Sequence, residues 1–295
     1  MDFIRDLLVI VDPTAADQPA VEKAGVLAAA LRANVEILGC DITQGEAVRL
    51  RGWLESLAAP LRAAGIPVRT SAIGGNSSYE SLIRWIRNAP ADLVLKDTHH
   101  HSLARRALLG STDAHLIRDC PAPLLLVKAT RWRTPPSLAA AVDPDHAADP
   151  QALLDQRILE CTGLLARALK AETHVVYAYV PVLMAAAADY GAPSMLAASP
   201  ELAAAEKSQH MERIRALLAK NPIADARVHV DMGIPSQVLP AIAEEYRIDI
   251  LVMGALSRSH LKQSILGGTA ERILERLPCD VLALKPLNLA ESLPF

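Results

Sequence analysis

One stretch of this chain occurs twice. Asp249–Lys285, DILVMGALSRSHLKQSILGGTAERILERLPCDVLALK, aligns without a gap on Asp92–Lys128, DLVLKDTHHHSLARRALLGSTDAHLIRDCPAPLLLVK. Asp92 falls on Asp249, Leu109-Gly110 on Leu266-Gly267, Thr112 on Thr269, Pro121 on Pro278 and Lys128 on Lys285. A strand, a loop, a helix and a second strand are therefore used in each half, and the chain is expected to fold as two like units. The copies part company in the loop. The later one keeps Gly254, Gly267 and Gly268, whereas the earlier one has Asp97 in the place of Gly254 and His100 in the place of Ser257.

The flanking sequence supports the duplication. Leu7–Val11 is a short apolar run ended by Asp12-Pro13, and Leu138–Val142 is ended in the same way by Asp143-Pro144. Such runs suit strands buried on both faces. Helical spacing over Gln18–Ala33, Glu46–Ala64, Asn76–Asn88 and Ala107–Arg118 alternates with strands at Val35–Cys40, Val68–Ile73, Leu93–Lys96 and Leu124–Val127. The second half runs through the same order. Alternation of this kind predicts an α/β architecture of two tandem Rossmann-like domains, each a five-stranded parallel sheet with helices on both faces. Pro135-Pro136 breaks any element between them, which places domains at 1–130 and 136–288. Pro181–Pro200, PVLMAAAADYGAPSMLAASP, has no counterpart of its length in the first half. It reads either as an Ala-rich cover for the core or as a lid over an apolar ligand.

Composition narrows the function classes. The chain has 295 residues, 51% of them hydrophobic and 21% charged, and a formal net charge of −3. A nucleic-acid binder would normally carry a basic face, so none is expected. No run approaches the ~18 apolar residues of a membrane span. Asp12-Pro13 follows the first apolar run too soon for a signal peptide. Cys40, Cys120, Cys161 and Cys279 form no CxxC pair, as reduced thiols of a cytoplasmic protein would be spaced. Ser-His-Asp order, paired carboxylates and HExxH are absent, so no dedicated catalytic machinery is expected.

The later loop has the chemistry of an anion site. In an open α/β sheet, ligands bind beyond the C-terminal ends of the strands where the strand order reverses. Gly254 and Gly267 let backbone approach a phosphate, and N–H groups opening a helix near Gly267 point at anions. Asp143 stands where it can hydrogen-bond a ribose or base. Ser257, Gly268 and Thr269 offer hydroxyls or room, and Arg258 offers charge. Neither the GK[ST] ending of a Walker loop nor GxGxxG is present. In the earlier loop, a carboxylate ~5 Å from a phosphate charge costs on the order of 3 kcal/mol at an effective dielectric of ~20. A helix N-terminus returns about 0.3–1 kcal/mol, so the first repeat is expected not to bind a nucleotide triphosphate.

Gly254-x-x-Ser257, nine residues, then Gly267-Gly268 resembles the universal stress protein loop, G-x-x-G-x9-G-[ST]. The resemblance extends through TAERILERLPCDVLALKP and the Gly233-Ile234-Pro235 turn. In the first half it extends through Val94-Leu95-Lys96, His99, His101, Thr112-Asp113, His115-Leu116, Arg118 and Cys120-Pro121, which are similar to tandem members of that family. It implies strand order 3-2-1-4-5, with Leu124–Val127 pairing with Val281–Leu284 as family dimers pair. It implies a small-molecule ligand, ATP or another adenine nucleotide, with Asp143 on the nucleoside, the Met253-Gly254 pair beside it, Arg258 after the second motif position, and Gly267-Gly268 at the phosphates. Ser257 and Gly268 depart from the motif, and Thr269 stands one residue late. The function implied is ligand sensing in stress adaptation. Alternatives are a carrier of a lipid or other apolar metabolite, and a slow Mg-dependent ATPase without a visible general base.

His99, His100 and His101 form the densest group of potential metal ligands. They read as a solvated loop, or as a zinc site of His99, His101 and His115 with Asp97 or Asp113. No HxxxH spacing fixes their geometry.

Overall fold

The computed structural model describes residues 4–40, 47–73, 79–98, 112–145, 153–181, 200–255, 274 and 276–285. The chain divides into two compact units, Met1–Trp132 together with Cys279–Phe295, and Arg133–Pro278. Among the described residues no helix is long and apolar enough to cross a membrane.

Unit 1 contains strands β1 (Asp6–Val11), β2 (Asn34–Cys40), β3 (Val68–Ile73), β4 (Leu93–Asp97) and β5 (Leu124–Val127), with helices α1 (Pro19–Leu31), α2 (Ala47–Ala63), α3 (Tyr79–Asn88) and α4 (Thr112–Asp119). The strands are parallel in the order β3-β2-β1-β4-β5. The apolar run of β1 is buried from Leu7 to Val11, as a strand covered on both faces must be. From β1 the chain steps outward to β2 and β3, then crosses back to β4 and β5. Right-handed crossovers in opposite directions put α1 and α2 on one face and α3 and α4 on the other. Helix α1 starts on a proline and ends on Arg32 in the left-handed region, φ 55°, whose N–H donates to the Ala28 carbonyl. Its Ala20, Val21, Ala24, Leu27 and Ala28 form the buried stripe.

Unit 2 contains β6 (Ser137–Ala141), β7 (Glu172–Tyr179), β8 (Arg227–Met232) and β9 (Ile250–Gly254), with α5 (Leu153–Leu169), α6 (Pro200–Lys220) and α7 (Pro235–Glu245). These four strands are parallel in the order β9-β6-β7-β8, the same topology as β4-β1-β2-β3. The last strand, β10 (Asp280–Leu284), belongs to unit 1. It pairs antiparallel with β5, Leu282 opposite Leu125, the pairing implied by the resemblance. Among the described residues unit 1 thus holds six strands, and the compact units do not end where the sequence repeats end.

The aspartate that opens each duplicated segment has the same task in both units. Asp92 Oδ2 accepts the backbone N–H groups of Arg5 and Asp6 at 2.8 and 3.0 Å. Asp249 accepts those of Arg133 and Ser137 at 3.1 and 2.8 Å. Each carboxylate satisfies donors at the start of the neighbouring first strand, which otherwise would be left unpaired.

Candidate functional site

In unit 2 the strand order reverses between β6, which leads on to β7, and β9 on its other side, so the C-terminal ends of β6 and β9 flank the crevice. Asp143 lies just past β6 and is half-buried. Its N–H donates to Asp155 Oδ1 at 3.0 Å, and Asp155 is buried in the first turn of α5. Met253 and Gly254 close β9, both half-buried. A Cβ on Gly254 would lie 2.8 Å from Leu154 Cδ2. The glycine leaves room for the tip of Leu154 between α5 and β9, a packing role that spacing alone does not reveal. Asp143, Met253 and Gly254 are thus brought to one edge of one sheet. Ser257, Arg258, Gly267, Gly268 and Thr269 lie outside the described residues, as does 182–199 of the apolar segment.

A cluster that sequence reasoning did not single out stands beside Asp143. The Asp145 carboxylate accepts the Tyr177 hydroxyl at 2.8 Å and the Arg213 guanidinium, with His210 Nδ1 at 3.3 Å. Arg213 and Tyr177 hold this carboxyl below its ordinary range against the opposing effect of burial. His210 packs between Tyr177 and Tyr179, ring centroids 5.3 and 4.3 Å away. The loop carrying Asp143 is thereby tied to α5, β7 and α6. By strand register Tyr177 stands where unit 1 has Gly39. A Cβ on Gly39 would meet Leu50 and Leu54 of α2 at 3.0 and 3.2 Å. Close helix packing in one unit is replaced by aromatic rings in the other. Among the described residues, five exposed large apolar side chains also belong to unit 2: Leu153, Val180, Leu202, Met232 and Ile234. All stand at or just past the C-terminal ends of strands or in the first turns of helices, which is the crevice edge of the sheet.

The corresponding crevice of unit 1 is filled from within. Asp97, at the end of β4, is 4% exposed, and its Oδ1 accepts the Ala20 N–H at 2.7 Å. Asp12 Oδ1 accepts the Thr14 N–H and hydroxyl at 2.8 and 2.7 Å. Gln18 donates its amide to the Asp12 carbonyl at 2.7 Å. Desolvation pushes the Asp97 carboxyl up to about 6, against the stabilising effects of the Ala20 N–H and of Lys96 and Lys23. The carboxylate expected to face a ligand phosphate instead faces the N-terminus of α1.

Among the described residues no group of three His, Cys, Asp or Glu side chains is placed to hold a metal. His99 and His101 lie outside those residues. His115 is on α4, its ring 5.5 Å from that of Tyr79. The carboxylates considered with them are engaged elsewhere, Asp97 with α1 and Asp113 with Lys96 Nζ at 2.7 Å. Among the described residues of unit 2, His174 Nδ1 and His229 Nε2 are 2.9 Å apart. Burial, followed by His229, lowers the His174 pKa to about 4.

Comparison with known proteins agrees with the duplication. The model of the Universal stress protein family matches residues 4–128 and again 139–285. The chain belongs to the universal stress protein family, in two tandem copies. It is 28% identical to universal stress protein E of Escherichia coli K12, covering 97% of this chain and 95% of that one. Universal stress protein E of Photorhabdus laumondii is also 28% identical, over 96% and 95% of the two chains. The fold matches that of a functionally unknown Pseudomonas aeruginosa PAO1 protein, with TM-score 0.75, 24% identity, and 97% and 94% coverage. It also matches a universal stress protein from Archaeoglobus fulgidus, with TM-score 0.68, 16% identity, and 96% and 98% coverage.

Proposed function

We propose that the protein is a cytoplasmic ligand-sensing regulator in stress adaptation, with an adenine nucleotide bound at unit 2 alone. The observation that carries this reading is the contrast between equivalent crevices. Unit 1 fills its own with the Asp97 carboxylate, whereas the edge of unit 2 has half-buried Asp143, Met253 and Gly254. Asp143 would take the nucleoside, and Ser257, Arg258, Gly267, Gly268 and Thr269 the phosphates. Binding rather than turnover is the activity in this reading, since the sequence holds no Ser-His-Asp order, paired carboxylates or HExxH. Calorimetric titration with ATP, ADP and AMP tests the proposal. One equivalent is expected per chain, with affinity at least about tenfold lower for Asp143→Ala, about 1.4 kcal/mol. An unchanged affinity in that variant would reject the assignment.

A second reading is favoured by the exposed Leu153, Val180, Leu202, Met232 and Ile234. Apolar side chains gathered at one edge suit an apolar metabolite. Native mass spectrometry of freshly purified protein separates the two, because a carried lipid and a nucleotide differ in mass. The same spectrum tests zinc at His99, His101 and His115, which His101→Ala would remove.

A further inference from the structure

We propose that the crevice of unit 1 is an anion site occupied by its own side chain: the Asp97 carboxylate stands where a free small anion would bind, and it holds the unit permanently in the filled form. Helix α1 is the receiving element. Pro19 brings no N–H, and the Val21 N–H is taken by the Gln18 carbonyl at 3.0 Å. Gln18, at the N-cap position, makes no side-chain cap, its amide being turned to the β1 loop. The remaining donor in the first turn, the Ala20 N–H, points at Asp97 Oδ1 from a strand end far away in sequence.

Asp97 has more than a capping oxygen in this place. Its Oδ2 is also buried, and it has no hydrogen-bond partner among the described residues. A cap needs one oxygen, and serine, asparagine or threonine supplies it without burying a charge. Here a full carboxylate is held between the α1 N-terminus and two ammonium groups that favour its ionised form, Lys23 and Lys96. Lys23 is on α1 and is paired with Asp280, and Lys96 is on β4 and is paired with Asp113. A helix N–H, two ammonium groups that offset part of the burial cost, and a glycine-sized place in the other repeat are components of an anion site. In unit 2 the place of the Asp97 side chain is taken by Leu154, whose Cδ2 would lie 2.8 Å from a Cβ on Gly254. The two repeats close the same position by different means, one with a charge and one with a hydrocarbon.

This inference shares with the proposed function the placement of Asp97, but its test reads unit 1 and the ATP titration reads unit 2, so their failures are distinguishable. The test is chemical rescue. Asp97→Gly removes the resident carboxylate and should lower the melting temperature of the full chain. Sodium formate should then restore it saturably, by about 3–6 °C at ten times the dissociation constant, while sodium chloride of equal ionic strength does not. Wild type and Asp97→Asn, which keep the place filled, should not respond to formate. Asp97→Ala carries the same test if the glycine variant does not fold. Saturable broadening of the ¹³C-formate signal by the variant, and not by wild type, gives a second readout. Equal effects of formate and chloride on both cavity variants would overturn the proposal, and so would an equal response from Asp97→Asn.

Discussion

Replacing Asp280 with alanine should loosen β10 from unit 1, and the cost can be worked from the contacts. Asp280 is 1% exposed and receives the Lys23 ammonium on both oxygens, at 2.9 and 2.7 Å. It also receives the Lys128 N–H at 2.7 Å and the Trp132 indole N–H at 2.8 Å. Without it, the Lys23 ammonium, 6% exposed, keeps among the described residues the Lys128 carbonyl at 2.8 Å, the Trp132 ring face at 5.4 Å and the charge of Asp97. Breaking a buried pair from one side costs about 3–5 kcal/mol, because the stranded charge remains desolvated. Burial outweighs Lys23 and lifts the Asp280 carboxyl above its ordinary range, so the intact pair itself carries a desolvation cost. Removing both charges, as Lys23→Met with Asp280→Leu, should therefore be milder than removing one. With a urea m-value of about 1–3 kcal/mol/M, Asp280→Ala should lower the midpoint of unit 1 by on the order of 2 M. Tryptophan fluorescence reports the transition, since the Trp132 indole is a partner of the lost carboxylate. A loss under about 1 kcal/mol, or a double variant as unstable as the sum of the single ones, would refute the reasoning.

Four further outcomes are expected. His174 has a folded pKa near 4 against an ordinary 6.5, so its contribution is complete above pH 6.5 and is lost as pH falls toward 4. The difference is worth up to about 3 kcal/mol; the urea midpoint of His174→Gln should fall less steeply over that window than wild type, and equal slopes would contradict this. Gly233 has φ 147°, and a Cβ there would meet Val238 Cγ2 at 2.8 Å, so Gly233→Ala should cost about 1–3 kcal/mol in thermal unfolding. Gly254→Ala should cost less, since the atom it meets is the tip of a half-buried leucine. Tyr177→Phe removes one bond to Asp145 and should destabilise unit 2 by about 0.5–1.5 kcal/mol, as a calorimetric melting curve will show.

The strands were legible because burial on both faces leaves a direct mark: Leu7–Val11 and Leu124–Val127 are continuous apolar runs, and no helix period fits them. The helices were legible from one-sided burial instead, as in Val21, Ala24, Leu27 and Ala28 at helical spacing, with boundaries displaced by a few residues where caps decide them. Asp143, Met253 and Gly254 could be assigned to neighbouring strand ends once the resemblance supplied the strand order, since that order sets which ends meet. The direction in which Asp97 points could not be read in this way. A side chain at a strand end can face solvent, ligand or a helix terminus, and only the position of Ala20 makes the third choice favourable. The Asp145 cluster escaped for a related reason, because Tyr177, His210 and Arg213 are far apart in sequence.

The sequence by itself determined that there are two α/β units of one design, since a gapless duplication repeats the burial pattern that dictates the elements. It also determined that their loops differ. Tertiary structure decided what the difference does. The glycine of the later loop makes room for Leu154, and the aspartate of the earlier one is drawn into the α1 N-terminus, where an unpaired N–H supplies the partner a buried carboxylate requires. It also decided that β10, the last strand of the second repeat, belongs with unit 1, through backbone pairing with β5 and a buried Lys23–Asp280 pair. Local pattern specifies elements. Long-range donors and acceptors specify where their ends are fastened.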